Sequence, residues 1–216
     1  MLRVLIPSPF VGANSWRPLA RIMPDTVVAD YGAVSTGDDH GTVARRIVEP
    51  VDGAPWVAVL HSSAGSLAPA LATIARRLSG LVFVDAVLPH PGRSILDIAP
   101  GAQVAQLRGL TTEGRLAPWN QWFPEDPTPR WIADAETRAE FLADLPRVPF
   151  AFLESMSPDD TGWEALPAAF VQLSKGYETN AARAEARGWP VRRARLNHLA
   201  MAGHPQAMAA LLEGLP

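Results

Sequence analysis

The stretch Trp56-Val57-Ala58-Val59-Leu60-His61-Ser62-Ser63-Ala64-Gly65 decides the fold. Its apolar first half reads as a buried strand, which stops at a histidine, two serines and small residues and then turns helical. This is the layout of a nucleophile elbow, a strained strand-to-helix turn that lifts a serine hydroxyl above the end of a parallel sheet. The usual elbow has glycine two residues before and two after the serine. Here those places hold Leu60 and Ala64 around Ser62, or His61 and Gly65 around Ser63.

Outward from this turn, strands alternate with helices, the rhythm of a mostly parallel sheet covered on both faces. Val4-Leu5-Ile6 and Thr26 to Asp30 read as the first two strands, separated by a Pro/Gly-rich turn and a helix that Asn14 or Ser15 would cap, running to about Met23. Asp38 or Asp39 opens the next helix, through Val48. After the elbow, Leu67, Leu71, Ile74 and Leu78 form one apolar stripe, which predicts a helix ended by Gly80. Leu81 to Val84 is a buried strand terminated by Asp85. From about His90 to Val148 the rhythm breaks into short pieces with prolines and the aromatics Trp119, Trp122, Phe123 and Trp131, an insertion of the size of a cap over a pocket. The rhythm then resumes: a strand at Ala168 to Leu173, a helix around Thr179 to Arg187, a strand at Pro190 to Arg195 and a last helix from Pro205 to Leu215. The expectation is a single α/β domain over residues 1–216 with a cap insertion at about 90–148.

Composition narrows the function. With 216 residues, 48% of them hydrophobic, the chain can bury one substantial core. A net charge of −3 with interspersed signs leaves no footprint for nucleic acid. The absence of cysteine excludes disulfides, thiol catalysis and cysteine-ligated zinc. No signal peptide or membrane-length apolar stretch is read, so a cytoplasmic protein with a small-molecule substrate and no membrane partner is expected. Lys175 is the only lysine among 19 basic residues; the arginines are scattered, which points to coding bias and not to a binding site.

A serine hydroxyl becomes a nucleophile when a histidine takes its proton and a carboxylate steadies the imidazolium. On sheets of this kind the three follow the order serine, acid, histidine. His198, in Leu196-Asn197-His198-Leu199-Ala200-Met201, falls between the last strand and the last helix, on the same edge as the elbow.

The whole chain resembles the α/β-hydrolase superfamily, particularly its small cap-bearing esterases and the hydroxynitrile-lyase-like branch. The resemblance rests on Val4-Leu5-Ile6-Pro7-Ser8-Pro9-Phe10-Val11-Gly12-Ala13-Asn14-Ser15-Trp16, the His-Ser-Ser-Ala-Gly elbow, Phe83-Val84-Asp85-Ala86 and His198-Leu199-Ala200-Met201. It aligns Val4 to Ile6 with the family's third strand, the expectation being a chain trimmed of an N-terminal hairpin. It implies an α/β-hydrolase fold with a helical cap and, without metal or organic cofactor, a serine hydrolase cleaving a small apolar ester, lactone or thioester. Lyase or cyclase chemistry without an acyl-enzyme, or a ligand-binding relative that has lost activity, are the alternatives.

In this family a histidine commonly precedes the nucleophile, which favours Ser62 over Ser63 and assigns the Ser63 amide to the oxyanion hole. The acid would be Asp85, from a position some lipases of the superfamily use. The more usual place follows Ala168 to Leu173, where Ser174-Lys175-Gly176-Tyr177-Glu178 offers no aspartate; Glu178 and Glu154 remain as other candidates. The family's second oxyanion donor lies in the loop after the first strand here. Pro7 and Pro9 have no N–H, so the donor falls to Phe10 or to the Ser8 side chain. Trp119, Trp122 and Arg93 are candidates to line the substrate pocket. His40 reads as a solvated loop residue, His204 as a helix start, and His90 as a cap-hinge or pocket residue.

Overall fold

The segment Trp56–His61 is buried at every position, which a strand apolar from Trp56 to Leu60 achieves only in the middle of a sheet covered on both faces. The computed structural model, which describes residues 1–216, builds the sheet around it. In chain order the strands are β1 (Leu2–Ile6), β2 (Thr26–Val28), β3 (Trp56–His61), β4 (Leu78–Val84), a small hairpin of β5 (Thr111–Thr112) and β6 (Arg115–Leu116), then β7 (Ala168–Gln172) and β8 (Val191–Arg193). The six strands other than the hairpin form one sheet in the order β2-β1-β3-β4-β7-β8. Every pairing in it is parallel.

Alternate residues of the strands feed two cores. Val4, Ile6, Ala58, Leu60, Leu81, Phe83 and Phe170 face one side, where the helices His40–Val48, Ala68–Ile74 and Glu178–Ala186 pack. Leu5, Val57, Val59, Val82, Val84 and Val171 face the other, against Leu19, Met201, Met208 and Leu212 from the helices Arg17–Ala20, Ala200–Gly203 and Pro205–Leu212. No helix is long and apolar enough to cross a membrane. The chain leaves β1 toward β2 on one side and returns to β3 on the other. The strand order therefore reverses between β1 and β3, the place where open α/β sheets form a crevice beyond the strands' carboxyl ends.

Two local expectations are corrected. Leu78 and Gly80 lie in β4, and the preceding helix stops at Ile74. The carboxylate of Asp52 accepts from the backbone N–H of Arg76 at 3.0 Å and of Arg77 at 2.8 Å, and from Trp56 Nε1 at 3.1 Å. Those bonds satisfy the chain outside the helix and turn it into the strand, overriding the apolar stripe. Neither Asn14 nor Ser15 caps a helix: the Ser15 hydroxyl donates to Gly12 O, and Asn14 is tied to the far side of the chain through Glu140 O and Asp144. By contrast, Asp39 caps the helix His40–Val48 as expected, accepting from Thr42 N at 2.7 Å.

Between β4 and β7 the chain makes a long excursion of short helices, among them Gly101–Gly109, Ala135–Ala143 and Phe150–Glu154. Trp119 is its packing centre, with ring centroids of Phe123, Trp131 and Phe141 within 6.4 Å.

The elbow itself depends on one close approach. A Cβ at Gly65 would lie 1.9 Å from the Val87 carbonyl oxygen, so the turn after β3 and the chain leaving β4 could not both keep their places. Gly65→Ala is therefore expected to lower stability by about 2 kcal/mol or more, read as a shifted urea midpoint with an unchanged slope.

Candidate active site

β3 ends at His61, and Ser62 turns into the left-handed region with φ 56°. For a residue with a Cβ this backbone costs about 1–3 kcal/mol, and it persists only where surroundings enforce it. Here the Ser62 carbonyl accepts from Val87 N at 3.1 Å and a helical turn, Ser62–Leu67, begins at once. The strained position is thus Ser62, and the glycine that the turn requires is Gly65, one place later than the usual elbow spelling. Leu60, in the place normally kept for glycine, is simply a fully buried strand residue.

Asp85 repeats the pattern at the end of β4, with φ 42°. Its carboxylate is completely buried, a state that needs several donors to offset lost hydration. Oδ1 accepts from Leu173 N at 2.9 Å and Ser174 N at 3.0 Å. Oδ2 accepts from Ser174 Oγ at 2.6 Å and from His198 Nδ1 at 2.8 Å. An ionised carboxylate only accepts, so His198 carries its proton on Nδ1 and leaves Nε2 with a free lone pair. The His198 carbonyl accepts from His61 Nε2 at 2.9 Å. Burial, with the neighbouring His198 ring, presses the His61 pKa well below its ordinary value. His61 therefore stays neutral and anchors the loop that presents His198.

Tyr177 completes the cluster. Its hydroxyl lies 3.1 Å from Ser62 Oγ, which in this resting arrangement pairs with Tyr177 rather than with His198. The phenol ring stacks on the His198 imidazole at 5.1 Å with 5° between planes. Burial pushes its pKa up to about 12, with Asp85 adding to the rise and the Ser62 hydrogen bond opposing it.

These groups open on a cavity of about 410 Å³ lined by Ser62, Ser63, Phe10, Tyr177 and His198 below and by Trp119, Trp122, Phe123, Trp131 and Leu107 above. Phe10 packs on Trp122 at 5.0 Å. The Phe10 N–H reaches only Ser8 Oγ, at 3.4 Å. Ser63 N lies in the first turn of a helical segment, where backbone N–H groups have no intrahelical acceptor.

The expected residues thus divide. Ser62, Ser63, His198, Phe10, Trp119 and Trp122 share one cavity, and Asp85 reaches it through His198. Arg93 does not: it is exposed and donates to the Asp97 carbonyl, closing the short helix Ile95–Ile98. Glu154 ends the helix Phe150–Glu154 and Glu178 opens the helix Glu178–Ala186; both are exposed, far from any role as the partner of His198. His90 is buried but does not line the cavity. His204 is exposed at the start of the last helix. No cluster of three or more His, Asp or Glu side chains is arranged to hold a metal ion. Three participants escaped the sequence reading: Tyr177, Ser174 and His61 as the holder of His198. The first two stand in the loop after β7, where the sequence points only to Glu178 as a candidate acid.

His40 is the clearest correction. It is fully buried, with Nε2 3.1 Å from Ser66 Oγ, Nδ1 3.1 Å from Ser155 Oγ and its ring stacked on Phe152. Ser66 Oγ in turn donates to Ser63 O at 2.8 Å, bracing the elbow from beneath. Burial first, then His90, lowers the His40 pKa from 6.5 to about 4. Between those values the unfolded chain binds a proton that the folded protein refuses. Stability is therefore full above pH 6.5 and is lost as pH falls toward 4, by up to about 3 kcal/mol from this residue. Urea midpoints followed across that window should fall accordingly. His40→Gln, which cannot titrate, should reduce the slope and leave what His61 and His90, both lowered by burial, contribute.

No protein-family model matches the chain, and neither does any curated protein sequence. Solved structures do. An extracellular α/β-hydrolase from a Paenibacillus species, described as sharing structural and functional homology with tobacco salicylic acid binding protein 2, matches with a TM-score of 0.75 at 16% identity over 98% of both chains. A pyrethroid hydrolase from Sphingobium faniae matches with a TM-score of 0.69 at 13% identity, over 97% of this chain and 94% of its own. A methylesterase from Arabidopsis matches with a TM-score of 0.62 at 15% identity, over 98% of this chain and 97% of its own. The protein has the α/β-hydrolase fold.

Proposed function

We propose that the protein is a serine-dependent hydrolase of small, largely apolar carboxylic esters, with lactones and thioesters within the same chemistry. Ser62 is the nucleophile, His198 the base and acid, and Asp85 the carboxylate that orients His198. The observation that carries this reading is the Asp85–His198 pair at 2.8 Å, opening on the same aromatic-lined cavity as the strained Ser62. The fold's neighbours named as a methylesterase and as pyrethroid hydrolases agree with an ester substrate.

In the reaction Ser62 Oγ turns from Tyr177 to His198 Nε2, a shift expected when substrate enters, since such contacts are often loose in the empty enzyme. The Oγ–carbon bond forms as the proton passes to Nε2. The carbon–oxygen bond to the alcohol then breaks, and the same proton goes to the departing oxygen. Water repeats the sequence to release the acid. The oxyanion is held by the Ser63 N–H and by the Phe10 N–H, whose 3.4 Å bond to Ser8 Oγ is long enough to be given up at little cost. The excursion over residues 90–148 is the cap, and Trp119 and Trp122 place an apolar roof over the acyl or alcohol group.

A fluorophosphonate probe tests the assignment. It should label the wild-type protein, and labelling should vanish in Ser62→Ala and in His198→Ala. Asp85→Asn should lower kcat on a short-chain ester by about 10⁴-fold, because the imidazole would lose its tautomer and its charge partner. Labelling that survives Ser62→Ala but vanishes in Ser63→Ala would transfer the nucleophile to Ser63. A protein that never labels is not a serine hydrolase, and labelling without turnover of any ester or thioester would favour lyase or cyclase chemistry.

A further inference from the structure

The Tyr177–Ser62 contact has no part in the triad, yet it joins a half-buried phenol to the attacking atom itself. We propose that Tyr177 is a catalytic residue whose hydroxyl donates a hydrogen bond to the departing alcohol oxygen. The proposal rests on the serine-esterase reading and adds to it a substrate class, esters whose alcohol is a poor leaving group.

Topology separates Tyr177 from the oxyanion donors. Phe10 follows β1, which flanks β3 on one side, whereas Tyr177 follows β7, which lies beyond β4 on the other. The two sides of the crevice thus carry different equipment: backbone N–H groups toward β1, and the stacked pair of Tyr177 and His198 toward β7. The proton taken by His198 Nε2 must be delivered to the leaving oxygen, so that oxygen lies on the His198 side of the reacting carbon. Tyr177, parallel to the imidazole at 5.1 Å and with its hydroxyl 3.1 Å from Ser62 Oγ, stands on that same side. In the tetrahedral intermediate the leaving oxygen is bonded to the carbon that Oγ has attacked, within reach of that hydroxyl.

The bond changes are those of ordinary acylation. The carbon–oxygen bond breaks with its electron pair on the alcohol oxygen, the proton moves there from His198 Nε2, and Tyr177 keeps its own proton throughout. A phenol whose burial raises its pKa to about 12 remains a donor over the whole working range of the enzyme. In the resting protein the same hydroxyl occupies Ser62. The other tyrosine, Tyr31, is committed elsewhere, donating to Pro7 O at 2.8 Å.

The test compares an ethyl ester with the p-nitrophenyl ester of the same acid in Tyr177→Phe, using kcat/KM, which reports acylation. An ethoxide needs stabilisation as it departs and a nitrophenolate does not. The expected result is a loss of about 100-fold on the ethyl ester with the aryl ester within about threefold of wild type. Fluorophosphonate labelling should persist in Tyr177→Phe, showing Ser62 and His198 intact. Equal losses on both esters, or no loss on either, would overturn the proposal. Should Tyr177→Phe fail to fold, 3-fluorotyrosine at position 177, a stronger donor of nearly the same size, should raise the ethyl-to-aryl rate ratio, and an unchanged ratio would overturn it equally. If the wild-type protein itself does not label, it is the esterase reading that fails.

Discussion

The buried carboxylate of Asp85 is the constraint around which the site is built. It has no contact with water, and four donors from the segment after β7 and the loop after β8 converge on it. Such a group is tolerable only while those donors stay in place, so the loops that end β7 and β8 are held to the end of β4 by the cost of leaving it unpaired. His198 inherits its position and its tautomer from this arrangement. The Tyr177 ring, three residues beyond Ser174, inherits its place over His198 from the same anchoring.

A second constraint is steric. Ser62 and Asp85 end adjacent parallel strands in left-handed backbone, both without the glycine that would make this conformation cheap. The two strained turns brace one another: the Ser62 carbonyl accepts from Val87 N, and Gly65 lets the Val87 carbonyl approach where a methyl group could not fit. Beneath them, His40 and Ser66 form a neutral polar support for Ser63 O. The strained turn at Ser62 is thus maintained by the chain leaving β4 and by the His40–Ser66 pair.

Much of this was legible in the residues. The unbroken apolar run Trp56 to Leu60 announces a central strand, and the chain order of Ser62, Asp85 and His198 follows the sheet. Periodicity misled at Leu78, because a helical stripe cannot reveal that Asp52, distant in sequence, captures the N–H groups of Arg76 and Arg77. Turn-rich composition misleads at His40 for a like reason: Gly37 to Gly41 looks solvated until Ser66 and Ser155 are brought against the ring from two other segments. Arg93 looked like a pocket cation, but its guanidinium is used locally at a helix end. Tyr177 could have been weighed from its place beyond β7. No motif marks it there, and only the fold, which sets the loop after β7 against His198, brings its ring to the site.

The two walls of the crevice then stand in a simple relation. On the β1 side Pro7 and Pro9 carry no N–H, so the proposed mechanism draws its donor in that loop from Phe10. On the β7 side the Tyr177 phenol stacks on His198. Under the proposed mechanism a group that steadies the leaving oxygen adds to the two backbone donors of the hole, because both oxygens carry part of the same developing charge. In that mechanism the proline-rich loop and the stacked tyrosine thus face the two oxygens of one intermediate from opposite sides of the crevice.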